Sequence, residues 1–139
     1  MQTPDHVVIL VEMMHDARII PLDARPHLSK RIPQLLGDSR GRWDGNTLVV
    51  DTIHFTDKTN FRGSGENLHV TERFTRVDEG TLLYQFTVDD PQSFARRWSG
   101  EIPMKKADGP IFEYACHEGN LSMENILSIA RAEEKSTRR

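Results

Sequence analysis

The chain has 139 residues, of which 37% are hydrophobic and 28% charged, with a formal net charge of −3. That is the size of one domain spanning 1–139, too apolar for disorder, and no apolar run approaches the roughly 18 residues that cross a bilayer. Its eighteen Lys and Arg are interspersed with twenty-one Asp and Glu without a basic stripe, so neither nucleic acid nor membrane is expected as a partner.

Val7 to Met13 and Ala17 to Leu22 are apolar, β-branched runs separated by Met14-His15-Asp16, a spacing that predicts a hairpin. Pro21 lacks a ladder donor, which places the second strand at an edge. Residues 23–40 change character: Pro26 opens a turn with Leu28, Ile32, Leu35 and Leu36 on one side, Pro33 breaks it and Gly37 ends it, so a loop with one or two helical turns is expected. Gly41 to Trp43 and Asn46 to Phe55 flank Asp44-Gly45, a pair suited to a type I′ turn. Thr56 to Asn67 is a long Gly/Asn/Ser/Thr-rich loop of the kind that serves as a lid.

Leu68 to Val77 and Thr81 to Val88 form the next hairpin about Asp78-Glu79-Gly80, with Leu82, Tyr84, Phe86 and Val88 on one core-facing side. Phe94 to Met104 and Ile111 to Glu118 follow as strands. Residues 120–135 read as a helix: Asn120 or Ser122 caps it, Glu124 suits its start, and Met123, Ile126, Leu127 and Ala130 make a stripe expected to pack on the sheet. Residues 132–139 read as a charged, frayed tail. The fold class is therefore mainly β: an antiparallel up-and-down barrel or a strongly curved sheet, closed by a C-terminal helix. Gly41-Arg42-Trp43 resembles the Gly-x-Trp of lipocalins, which implies a calycin-like barrel.

Within this pattern Glu113 and His117 share strand parity with Ile111 and Ala115, so both can project into a cavity with Arg96 and Trp98. A carboxylate beside an imidazole or guanidinium is the equipment of acid–base chemistry. The competing reading is a solvated face with ordinary cross-strand ion pairs. On the strand after the long loop, His69, Thr71, Arg73 and Thr75 form one face, and Val70, Glu72, Phe74 and Arg76 the other. If the first faces inward it lines a cavity with polar groups, and if the second does, Glu72 is the buried acid. Asp51 interrupts an apolar run and calls for a partner, with Arg73 or Arg97 as the expected one.

Cys116, His117 and Glu118 are competent ligands for a transition metal, together with His15, His54 or His69. Neighbouring strand residues point oppositely, however, and no His-x-His, HExxH or Cys-x-x-Cys spacing occurs. No metal or other cofactor is expected in the leading reading, and a metal enzyme using His117 is the alternative. Ser64 lacks the spacing of a nucleophile elbow. The lone Cys116 excludes an intrachain disulfide.

The segments WDGNTLVVDTIHF, LHVTERFTRVDEGTLLYQFTVDDP and IFEYACHEGN resemble those of an uncharacterised family of bacterial, often exported proteins. The resemblance spans most of the chain and implies a shared site without naming a reaction. Met1-Gln2-Thr3-Pro4 matches an interior point of those longer relatives, so the resemblance implies an upstream strand or a signal peptide ahead of Met1; no targeting signal is read within the chain itself.

The expected function is small-molecule binding in a partly polar cavity with its mouth at residues 56–67. Tyr84 and Trp98 form walls, His69, Arg73 and Arg96 orient the ligand, and Glu113 and His117 transfer protons in a metal-independent hydrolase, lyase or isomerase. The competing class is an interaction protein whose sheet edge at 7–22 pairs with a partner, a second copy in a homodimer being one such partner.

Overall fold

The computed structural model describes residues 1–58, 61–112, 114 and 121–137. Strands β1 (His6–Leu10) and β2 (Ala17–Pro21) form a hairpin that is a sheet of its own. A second antiparallel sheet runs in consecutive order through β3 (Asp38–Asp44), β4 (Thr47–Ile53), β5 (His69–Arg76), β6 (Thr81–Asp89) and β7 (Trp98–Lys105), and helix α1 (Ser122–Thr137) follows. The protein is thus mainly β and antiparallel with a C-terminal helix. Among the described residues β7 does not return to pair with β3, so the sheet is open and no barrel closes.

Local chemistry sets the boundaries. Asp44 pairs with Thr47, which makes Gly45-Asn46 the turn, and the positive φ falls on Gly45 at 61° with none at Asn46. That is the type II′ placement, one residue later than the expected I′ pair. β7 starts at Trp98, four residues after Phe94, because Asp90 turns the chain first. Its carboxylate accepts the Gln92 N–H at 3.0 Å, and its carbonyl accepts the Phe94 N–H at 2.9 Å. Residues 22–37 form a loop with short turns, such as Ile32 N–H to the Ser29 carbonyl at 2.8 Å.

The registers divide the five-stranded sheet into two faces. On one, Gly41, Val50, Glu72, Phe86 and Gly100 follow one another across the strands; on the other lie Asp51, Thr71 and Thr87. The hairpin lies over the first face, here called the inner face. Ile20 is fully buried against Leu48 and Val50, with Val7, Ile9, Leu22 and Phe74 packed around them. Burying such a side chain stabilises by about 1.5–3 kcal/mol. Gly41 permits this approach: a Cβ there would stand 2.8 Å from both Ile20 Cγ2 and Leu22 Cδ2. A second cluster on this face joins Phe55, Leu68 and Val88 with Val70, Phe86, Phe94 and Trp98.

Two expectations are corrected at the C-terminal end. Ile111, Phe112 and Tyr114 are exposed and outside any strand; the rest of the 111–118 strand lies outside the described residues. The helix forms, but its stripe of Met123, Ile126 and Leu127 is exposed and enters neither core cluster. Periodicity announces a helix and leaves its partner unnamed, and the hairpin already covers part of the inner face. α1 also runs to Thr137, through residues expected to fray, since Ala132, Glu133, Glu134 and Lys135 are good helix formers.

Candidate functional site

Between the two apolar clusters the inner face carries a polar row centred on Glu72, which is 4% exposed. A carboxylate so buried needs a counter-charge, and the hairpin brings one. Arg18 on β2 donates from Nη1 to Glu72 Oε1 at 3.0 Å and from Nη2 to Oε2 at 2.6 Å. Nη2 also reaches Ser39 Oγ at 3.2 Å and Thr52 Oγ1 at 3.3 Å, two hydroxyls 2.9 Å apart. Tyr84 on β6 donates its hydroxyl to Glu72 Oε1 at 3.0 Å. Burial works against the Arg18 charge, but the hydrogen bond and the charge of Glu72 outweigh it and hold the guanidinium above its ordinary pKa. Burial first, and then the Glu72 carboxylate, pushes the Tyr84 phenol far above its usual range. Ionisation of the Tyr84 phenol is thereby disfavoured, and its hydroxyl donates to Glu72.

Beside this row opens a cleft of about 340 Å³, in the size range of small-molecule sites. Arg18, Thr52, Glu72 and Tyr84 contribute its polar side. Phe55, Leu68, Val70, Phe86 and Val88 form its apolar walls, and Leu35, Leu36 and Phe61 border it from the loops. The aromatic packing behind the wall is continuous. Phe74 stacks on Tyr84 at 4.9 Å and Tyr84 on Phe86 at 5.5 Å, while Trp98 meets Phe86 edge-on at 5.5 Å and stacks on Phe61 at 6.2 Å. Gly100 makes room for this arrangement, since a Cβ there would stand 2.7 Å from Phe86 Cζ.

The opposite face of the sheet holds a different constellation. His27, from the 22–37 loop, contacts Asp38 Oδ2 through Nδ1 at 2.9 Å and Asp51 Oδ2 through Nε2 at 3.1 Å. His69 contacts Asp51 Oδ1 through Nε2 at 2.6 Å. The His54 ring meets His27 edge-on at 6.2 Å. Arg40 donates to Asp38 Oδ1 at 2.6 Å, and the Leu28 N–H donates to Asp38 Oδ2 at 2.8 Å. For Asp51, burial opposes ionisation, but the hydrogen bonds and charges of His69 and His27 prevail and lower its pKa. Asp38 is lowered likewise: its burial is outweighed by Leu28, His27 and Arg40. Among the described residues no group of three or more His, Cys, Asp or Glu is arranged to hold a metal ion.

The residues expected to share one cavity are thus distributed. Tyr84 lines the cleft. Trp98 stands behind its wall, against Phe61 and Phe86. His69 and Arg73 lie on the other face, because the register turns Val70, Glu72 and Phe74 inward; Arg73 donates to Asp44 Oδ2 at 3.1 Å. Arg96 is exposed in a bend ahead of β7, since the Asp90 turn delays the strand. Glu113 and His117 lie outside the described residues, and Ile111, expected on their face, is 61% exposed. Asp51 is partnered by two histidines in place of an arginine. Sequence reasoning missed Arg18, for which a lone cation inside the apolar run ARIIPL was a signal, and His27, for which the loop offered none. No helix among the described residues is long and apolar enough to cross a membrane. No family model matches the chain, nor does any curated protein or solved structure.

Proposed function

We propose that this protein binds a small, largely apolar molecule in the cleft between the hairpin and the inner face of the sheet. The observation that carries the reading is an apolar-walled cleft of about 340 Å³ with the Arg18–Glu72–Tyr84 row at one side, the combination of shape and few convergent polar groups typical of ligand sites. The row is internally charge-balanced and Tyr84 is held neutral, which favours binding over proton transfer within the cleft. The consecutive up-and-down strand order supports a lipocalin-like strand arrangement, here as an open sheet in place of a closed calyx. We also propose that the chain belongs to the exported bacterial family, on the segments WDGNTLVVDTIHF, LHVTERFTRVDEGTLLYQFTVDDP and IFEYACHEGN. The test is a ligand-observed NMR screen of small neutral ring compounds against the native chain and Leu35→Trp, which crowds the border of the cleft from an exposed position. Binding to the native protein and its loss in the variant support the proposal; unaltered binding in the variant counts against it.

A second reading is favoured by the Asp51–His69 contact at 2.6 Å. A carboxylate that orients an imidazole, with His69 itself 44% exposed, is the arrangement of a general base. On this reading any hydrolase, lyase or isomerase turnover disappears in His69→Gln and survives in Leu35→Trp. The reverse pattern assigns the chemistry to the cleft. Self-association through the hairpin edge is a separate proposal, supported by exposed Leu10, Val11 and Ile19, and sedimentation across a concentration series decides it.

A further inference from the structure

The 22–37 loop is fastened to the far face of the sheet by one imidazole, and the chemistry of its two contacts fixes their protonation. His27 Nδ1 lies 2.9 Å from Asp38 Oδ2, and Nε2 lies 3.1 Å from Asp51 Oδ2. An ionised carboxylate only accepts, and a neutral imidazole carries a single N–H. Both contacts therefore coexist as hydrogen bonds only when His27 is an imidazolium, which donates from each nitrogen. The neutral ring would turn a lone pair towards one of the carboxylates. Asp38 and Asp51 both have pKa values below the ordinary one, so both are ionised at neutral pH.

The surroundings match that charge. Among the described residues His27 faces Asp38 with Arg40 on β3, Asp51 on β4 with His69 of β5 behind it, and the His54 ring edge-on at 6.2 Å. Arg40, 2.6 Å from Asp38, offsets one carboxylate, and imidazolium His27 offsets the other. A neutral His69 can make its own contact by donating from Nε2 to Asp51. The clamp is also joined to the cleft along the loop. Beside His27, the Leu28 N–H donates to Asp38 Oδ2 at 2.8 Å, and Arg40 donates to the Pro26 carbonyl at 3.1 Å from Nε and 3.0 Å from Nη2. Further along, the Gln34 N–H donates to the His54 carbonyl at 2.9 Å, just ahead of Leu35 and Leu36 on the cleft border. We infer that His27 is a proton-operated latch: as imidazolium it clamps residues 22–37 to the sheet, and its loss of a proton as pH rises breaks a carboxylate contact and loosens the loop as far as the cleft border. The latch is closed in mild acid, where both aspartates are ionised and His27 is charged, and opens as pH rises through the imidazole range.

The experiment follows amide hydrogen exchange of the full chain by NMR from about pH 5 to 8, the range in which imidazole changes charge, with rates corrected for the intrinsic pH dependence of exchange. Protection of the Leu28 and Gln34 amides should fall at least about tenfold over that range, as loss of one charge-assisted hydrogen bond provides. The Val50 amide, in the centre of the sheet, should keep its protection. In His27→Gln, whose side chain does not titrate, Leu28 and Gln34 should be weakly protected at every pH, whereas His69→Gln should retain the native fall. Unchanged protection at Leu28 across the range in the native chain overturns the inference. So does a native-like fall that persists in His27→Gln or vanishes in His69→Gln. A fall at Leu28 without one at Gln34 overturns the link to the cleft border, and an equal fall at Val50 overturns the latch in favour of global unfolding.

Discussion

Arg18 and Glu72 join two sheets that share no backbone ladder. Removing one member leaves the other buried and unpaired, so Arg18→Met should lower the unfolding free energy by about 3–5 kcal/mol. Arg18→Met combined with Glu72→Leu should recover most of that loss, because two apolar side chains need no counter-charge. Urea denaturation of the single and double variants measures both, and additive losses would show that the pair is not coupled. At Asp38 the sign of the pH dependence is fixed by its lowered pKa. A carboxylate whose folded pKa lies below the unfolded value of about 3.9 stabilises the fold above that value. The contribution is lost as pH falls through the folded pKa. Asp38→Asn should therefore be less stable at neutral pH and show a shallower loss in acid, which thermal unfolding between pH 2 and 7 would record.

At the scale of elements, the same physics separates what packs from what merely forms. Ile20 on the hairpin is fully buried against the sheet, so Ile20→Ala should cost about 2–5 kcal/mol. Ile126 on α1 is exposed, so Ile126→Ser should stay within about 0.5 kcal/mol of the native protein. A large loss at Ile126 would mean that the helix is docked in solution. The strands were legible because alternation and turn residues are local: Leu82, Tyr84, Phe86 and Val88 lie on the inner face, as their period of two requires. The face chosen by β5 was legible only as a pair of alternatives, since Val70 and His69 registers differ by one residue, and Glu72 became the buried acid. The Arg18–Glu72 pair spans 54 positions, and no local pattern states which strand a hairpin will cover. His27 comes from a loop without periodicity, so its bridge between Asp38 and Asp51 was invisible.

For the whole molecule, the inner face is divided among the hairpin, the polar row and the cleft, while the Asp38–His27–Asp51–His69 chain occupies the other side. Ligand binding and any histidine chemistry are therefore separable by face. On the ligand-binding proposal, the cleft bordered by Leu68, Val70 and Val88 takes a small ring compound. Methyl-resolved NMR during titration with p-cresol tests it most directly. Saturable shifts are expected at the Leu68, Val70 and Val88 methyls, with the Val49 methyls, on the far face of the sheet beside Asp51, unmoved. Shifts confined to Val49, or no saturable shift at Leu68, Val70 and Val88, would contradict it.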